Sequence, residues 1–243
     1  MSTKYIASNW RLPNQENSSK NDNYGLTFDG SEHIDLDIQS LNTPATISIW
    51  VNTAVNDSQQ RYAIINGRAD QTPYLYLRMA TDNTYQVLFF NSNGSDTLQG
   101  SSATINTWFH FVIVCEDSQT LLYENGVLKD TSTTGWNGVN INQSNNWQIG
   151  RDSRGQRFWS GSISECALFD YALTSTQIST LYGSSSLGSG NPMILNPIAY
   201  YPLGDNSASN PLTQPNVAVE DASVFNFDGS SDYIDLDPGV MKT

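Results

Sequence analysis

Asn106-Thr-Trp-Phe-His-Phe-Val-Ile-Val-Cys-Glu-Asp-Ser-Gln-Thr-Leu-Leu-Tyr-Glu-Asn-Gly-Val-Leu-Lys129 decides the fold. Trp108, His110, Val112 and Val114 alternate with Phe109, Phe111, Ile113 and Cys115, so large side chains fall on both faces of an extended run, the pattern of a strand inside a sandwich. A polar break at 116–119 precedes a second strand, Thr120 to Glu124. Asn125-Gly126 then supplies two residues that tolerate positive φ, and Val127 begins a third strand. Two hairpins are therefore written into 24 residues.

Working outward, further short alternating runs separated by Gly, Asn, Asp or Pro occur at Thr46–Val51, Tyr62–Asn66, Tyr74–Met79, Tyr85–Phe90, Trp147–Arg151 and Ser160–Phe169. About ten strands without interleaved helices predict two packed antiparallel sheets. One helix is expected from Thr174 to Tyr182, with a Thr174/Gln177 capping-box pair at its start and Gly183 at its end. Toward the N-terminus, Leu26-Thr-Phe-Asp-Gly-Ser-Glu-His-Ile-Asp-Leu-Asp37 reads as an opening hairpin. The chain repeats this element at Phe225-Asn-Phe-Asp-Gly-Ser-Ser-Asp-Tyr-Ile-Asp-Leu-Asp237, and Tyr200-Tyr-Pro-Leu203 echoes Trp10-Arg-Leu-Pro13. The expected organisation is a polar arm over 1–23, a sandwich over 24–183, a Gly/Ser/Pro linker over 184–198 and, over 199–243, an extension resembling the start of a second sandwich unit.

These motifs, in this order, resemble the laminin G-like domains of the concanavalin A-like lectin/glucanase (jelly-roll) superfamily. The resemblance rests on Phe28-Asp-Gly-Ser31, Ile47-Ser-Ile-Trp50, the Trp-x-His strand followed by Leu-Tyr-x-Asn-Gly, Ile149-Gly-Arg151, Gly161-Ser-Ile-Ser-Glu165 and Ala172 to Tyr182. Asn125 stands where that family usually has Asp. The resemblance implies an all-β antiparallel jelly-roll sandwich with one short helix. It fixes no single function, because such a fold hosts binding, adhesion and hydrolysis alike.

Composition narrows the choice of partner. Among 243 residues, 38% are hydrophobic, with 6 Trp, 12 Tyr and 9 Phe, enough for a large core. The net charge of −13 repels phosphate backbones and anionic membranes, so nucleic acid is not an expected partner. No run of eighteen apolar residues provides for membrane insertion, and the first residues show no secretory signal. Cys115 and Cys166 fall in predicted core strands, as two buried thiols or one inter-strand disulfide.

No catalytic residues are expected. The two-carboxylate arrangement of a retaining glycosidase is missing, since Glu32, Asp35 and Asp37 read as a solvated strand face. His33 and His110 are far apart in sequence, without a nucleophile motif, and His110 reads as a packed core histidine. No cofactor is expected apart from a structural calcium that the resemblance implies at Asp29, the carbonyl of Gly30 and Glu165, with Ser164 standing where the family usually supplies a further Asp. The pair Asp70 and Asp82 has only loop context. For sugars, an exposed aromatic plane and nearby hydrogen-bonding groups are needed. Tyr74 and Tyr76 on one strand face, Trp136 in a Gly/Asn-rich loop, and Arg151, Arg154 and Arg157 are the candidate ligand-binding residues. Trp50, Trp108 and Trp159 read as core.

The function these readings favour is a non-catalytic structural and recognition module, a virion surface component of the phage decoration or fibre type. It would bind other copies or neighbouring proteins through its terminal arms, where unpaired strands invite strand addition, and glycans through the sandwich. The alternative is a carbohydrate-binding or adhesion module of a secreted multi-domain bacterial protein. The expected location is a virion or an extracellular surface.

Overall fold

The computed structural model describes residues 4–6, 25–36, 38, 41–67, 73–141, 147–183, 192–201, 203 and 233–235. Most of the arm over 1–23, the linker residues 184–191, Asp37, Asp70 and the repeated element at 225–232 lie outside the described residues.

The strands in chain order are β1 (Lys4–Ile6), β2 (Leu26–Asp29), β3 (Ile34–Leu36), β4 (Ala45–Thr53), β5 (Arg61–Asn66), β6 (Tyr74–Met79), β7 (Thr84–Asn91), β8 (Gly94–Ser102), β9 (Trp108–Cys115), β10 (Thr120–Glu124), β11 (Val127–Ser132), β12 (Trp147–Ile149), β13 (Ser160–Phe169), β14 (Ala199–Tyr201) and β15 (Tyr233–Asp235). Two antiparallel sheets pack face to face. The seven-stranded sheet runs β11-β10-β9-β4-β13, with β14 and β2 both against the far side of β13, and the six-stranded sheet runs β3-β12-β5-β6-β7-β8. The expected jelly-roll sandwich is the fold observed. Separately, β1 pairs in parallel with β15, Lys4 opposite Tyr233.

The stretch quoted first lies at the centre. β9 is sandwiched between β4 and β10, with Trp50 opposite His110 on one side and Leu121 opposite Val114 on the other. Its inward set, Phe109, Phe111, Ile113 and Cys115, meets Ala45, Ile47, Ile49 and Val51 of β4 in the main core, which also takes Tyr85, Phe89, Trp136, Trp147 and Trp159. Each such aliphatic or aromatic side chain, fully withdrawn from water, contributes about 1.5–3 kcal/mol before chain entropy is set against it.

The other face of β9 and β4 is covered as well, which explains why hydrophobic residues fall on both sides. Helix α1 (Ser175–Tyr182) lies there, its Ile178 and Leu181 packing with Val112, Val114, Ala167, Phe169 and Leu173 in a second, smaller core. The helix begins at the predicted cap: Thr174 Oγ1 accepts from Gln177 N, Gln177 Oε1 accepts from Thr174 N, and Gly183 ends it in the left-handed conformation with φ 77°. Tyr182 stacks on Trp50 at 5.7 Å, and Trp50 stacks on His110 at 4.8 Å.

Besides β1, which falls within the expected polar arm, two elements escaped the sequence reading. β8, Gly94-Ser-Asp-Thr-Leu-Gln-Gly-Ser-Ser102, carries one buried apolar side chain, Leu98, because it is an edge strand with little inward area. Second, the segment that resembles the start of another unit is, over residues 199–203, part of this sandwich. β14 pairs antiparallel with Cys166–Leu168, and Ala199, Tyr201 and Leu203 enter the main core. The sandwich therefore does not stop at Gly183.

Candidate functional site

With α1 covering the outside of the seven-stranded sheet, the outside of the six-stranded sheet is the broad face left open among the described residues, and the pleat decides what stands on it. Alternation in β6 sends Leu75, Leu77 and Met79 inward and Tyr74, Tyr76 and Arg78 outward. The register with β7 sets Tyr74 opposite Phe90, Tyr76 opposite Leu88 and Arg78 opposite Gln86, and β8 adds Gln99 beside Gln86. From β5, Tyr62 and Ile65 join the same face.

The result is a strip of aromatic rings. Tyr74 and Tyr76 stack 5.8 Å apart with their planes 5° from parallel, Tyr74 and Phe90 are 5.7 Å apart at 13°, and Tyr62 tilts against Tyr76 at 4.9 Å. Phe90 is 38% exposed and Tyr74 is half-buried, whereas Tyr76 and Tyr62 are tucked in. Burial raises the phenol pKa of both Tyr74 and Tyr76 above the ordinary value, so both hydroxyls stay protonated as donors throughout the physiological range.

Polar groups flank the strip. Arg78 donates through Nε and an Nη atom to Gln86 Oε1 at 3.3 and 3.0 Å, and its guanidinium lies over the Tyr76 ring. Gln86 Nε2 donates to Gln99 Oε1 at 3.2 Å. At the β5 end, Arg157 lies over Tyr62 and donates to its hydroxyl at 3.3 Å. Arg157 ends a tight loop organised by buried Asp152, whose Oδ1 accepts the backbone N–H groups of Arg154 and Gln156 at 3.0 and 2.7 Å. The loop is pinned to β5 because Tyr62 N donates to the Arg157 carbonyl at 3.1 Å and Arg61 donates to the Phe158 carbonyl at 2.9 Å.

Of the residues singled out from sequence, the structure brings together Tyr74, Tyr76 and, through Tyr62, Arg157. Arg151 lies further along, ion-paired to Asp35 at 3.6 Å, and Arg154 is exposed on the loop. Trp136 requires correction. It is fully buried in the core, donating from Nε1 to Thr120 Oγ1 at 3.0 Å, because Asn91 and Asn93 hold its Gly135 carbonyl and draw the loop inward. It is no sugar platform. The residues that sequence alone did not name are Tyr62, Arg78, Gln86, Leu88, Phe90 and Gln99. The alternation in β7 could have signalled Gln86, Leu88 and Phe90, but only the pairing register places them beside Tyr74.

The carboxylate set proposed for calcium does not converge. Asp29 pairs with Ser160 on β13, and Glu165 stands five residues further along that strand, roughly 16 Å at strand rise. Asp29 Oδ1 is occupied by the N–H and hydroxyl of Ser31 at 2.9 and 2.7 Å, and Tyr200 donates its hydroxyl to Glu165. No cluster of three His, Cys, Asp or Glu side chains suited to a metal occurs among the described residues. His110 is 1% exposed and hydrogen-bonded to Ser48 Oγ at 2.9 Å beneath the helix, so that pair is walled off from any substrate. Cys115 and Cys166 are free and buried. β4 runs between their strands, which puts them about two inter-strand spacings apart, beyond disulfide reach.

Comparisons with known proteins bear on the fold. A heptameric SAP-like pentraxin from Limulus polyphemus superposes with a TM-score of 0.53 at 19% identity, covering 70% of this chain and 87% of the pentraxin chain. The IT-sialidase CBM40 of Ruminococcus gnavus superposes with a TM-score of 0.50 at 17% identity, covering 64% of this chain and 95% of that domain. No curated protein sequence matches the chain. The model of a laminin G family of the Concanavalin A-like lectin/glucanases superfamily matches residues 28–179. The two sheets, the capped helix and this match over more than half its length establish that the chain belongs to that family.

Proposed function

We propose that this chain is a non-catalytic carbohydrate-binding module and that the outer face of the six-stranded sheet is its sugar-binding surface. One observation carries the reading: Tyr74 and Phe90, backed by the buried Tyr76, stand as near-parallel, partly exposed neighbours on a sheet face that would ordinarily be polar. Sugar rings present flat C–H faces that stack on such planes, while equatorial hydroxyls take hydrogen bonds from amide and guanidinium groups like those of Gln86, Gln99 and Arg78. The rings are packed against each other before any ligand arrives, which lowers the ordering cost of binding. The Ruminococcus CBM40 has been solved with α2,3 sialyllactose bound, in keeping with glycan recognition on a sandwich of this kind. The Ser48–His110 pair is buried beneath the helix, on the opposite side of the sandwich from this face.

Binding of an oligosaccharide panel, measured by microarray and then calorimetry, tests the reading. Tyr74→Ala and Phe90→Ala are expected to abolish binding while leaving the fold intact by circular dichroism. Unchanged binding in both variants overturns the assignment of this face.

A second reading has its own observation. The β1–β15 ribbon consists of two strands that pair with no other strand among the described residues, leaving a free edge on each side. Such edges suit strand addition from neighbouring subunits, which is what a component of a virion or other surface assembly uses. Light scattering across a concentration series tests it. Growth of mass that is lost on deleting residues 1–8 supports the assembly role, and a constant monomer mass removes it.

A further inference from the structure

Resting on the carbohydrate-binding reading, we infer that the ligand is an acidic glycan whose carboxylate or sulfate is received by Arg78 and Arg157 at the Tyr62 end of the aromatic strip. The chain carries a net charge of −13, yet all five described arginines, Arg61, Arg78, Arg151, Arg154 and Arg157, lie on β5, β6 or the loop 151–157. Three have acidic partners: Arg61 pairs with Asp57, Arg151 with Asp35, and Arg157 with Asp152 at 3.5 Å. Arg78 and Arg154 have no ion-pair partner among the described residues. Asp82 also acts on Arg78 electrostatically, which leaves these five guanidiniums facing four carboxylate partners.

Arg78 and Arg157 converge more closely than charge repulsion favours. Each directs an Nη1 atom at the same phenol oxygen, that of Tyr62, at 3.5 and 3.3 Å, and each lies over a tyrosine ring of the strip. Asp152 offsets them only in part, since its Oδ1 is engaged by the loop backbone. Two guanidiniums held on one oxygen, with further donors unused among the described residues, present the forked N–H groups that a carboxylate or sulfate accepts.

The backbone gives a second, independent sign. Arg157 has φ +52°, the left-handed region in which a side chain is strained and glycine is not. Its side chain is 40% exposed, so burial does not repay the strain. The strain is carried by a side chain whose contacts, the Asp152 pair and the Tyr62 hydroxyl and ring, hold its guanidinium on the open face.

The experiment measures the full chain against three matched pairs by calorimetry: sialyllactose with lactose, trigalacturonate with its methyl ester, and 6-sulfated N-acetyllactosamine with the unsulfated sugar. The expected result is that at least one acidic member binds about tenfold more tightly than its neutral partner, as a charge-assisted pair of bonds supplies, with the preference shrinking as salt is raised. The pairs also separate carboxylate from sulfate as the source. Arg157→Gly and Arg78→Gln should each bring the acidic-to-neutral ratio toward one while Tyr74→Ala removes binding of both members. Equal binding of acidic and neutral members, or a preference that survives both arginine variants, overturns this inference and leaves the carbohydrate reading standing; absence of binding to all six sugars overturns both.

Discussion

Asn125 and His110 are joined twice: Asn125 Oδ1 accepts the backbone N–H of His110 at 2.9 Å, and Asn125 N donates to the His110 carbonyl at 2.8 Å. The turn residue is thereby tied to the middle of the central hairpin, with φ 51° at Asn125 and 80° at Gly126 giving the twist that the flanking strands need. Asn125→Ala removes the side-chain acceptor and places alanine in the left-handed region, so a loss of about 2 kcal/mol in urea unfolding is expected. Asn125→Asp keeps the acceptor and should stay within about 0.5 kcal/mol of the parent. Equal losses in the two variants would show that the side-chain bond contributes nothing.

The edge of the six-stranded sheet is closed by carboxylates of the other sheet. Asp130 Oδ2 accepts from Gln99 N and Glu124 Oε2 from Ser101 N, both at 2.7 Å, so two outward N–H groups of β8 are already engaged. Glu124→Ala with Asp130→Ala should cost about 2–4 kcal/mol and make the protein associate at high concentration, as seen by light scattering. A double variant that stays monomeric and equally stable refutes this account of the edge.

Gly161 fixes how closely β13 approaches β4. A Cβ there would lie 2.1 Å from the Asn52 carbonyl oxygen, and its φ of 133° is unsuited to other residues. Gly161→Ala is expected to lower stability by more than about 4 kcal/mol or prevent folding, read from soluble yield and the unfolding midpoint.

Acid should destabilise the fold in two stages, the first as pH falls below the ordinary histidine value of 6.5, because burial and the nearby Arg151 hold the His33 pKa down, and the second at low pH. Asp57 is held below the ordinary carboxyl value of 3.8 by its hydrogen bond from Arg61, and Asp82 by that from the Thr84 hydroxyl. The unfolded chain therefore binds protons first as pH falls through that value, and folding stability declines below about pH 4. Above it, relaxation of the net charge of −13 acts in the opposite direction. A thermal midpoint that keeps rising from pH 4.5 to 2.5 would contradict these assignments.

Burial raises the pKa of both cysteine thiols far above the ordinary value. Neither Cys115 nor Cys166 should react with a thiol reagent in the native protein at pH 8, and both should react in guanidinium, as counted by intact mass. Labelling of either without unfolding would show that its strand opens.

Periodicity made most of the sandwich legible. The alternation of β4 and β9, the Asn-Gly turn and the Thr174 cap each act within one or two turns of chain, where sequence and structure are directly coupled. What lay hidden depends on distant partners. Phe90 and Tyr74 are sixteen residues apart and become neighbours only through the β6–β7 register, while Tyr62 meets Arg157 across ninety-five residues. Trp136 misled for the same reason. Its Gly/Asn-rich surroundings resemble an exposed loop, and the asparagines that pull it inward, Asn91 and Asn93, are remote in sequence.

The bulge in β13 between Ser164 and Ala167, where Glu165 takes φ 52°, divides that strand into two halves with different edge partners. Its first half is met by β2, made long before it, and its second half by β14, whose residues follow about thirty positions later. Because the chain is made from its N-terminus, the second half of that border and the core around Leu203 can be closed only after β14 has been synthesised. Completion of the fold is thus timed by a segment whose sequence looks as though it belonged to something else.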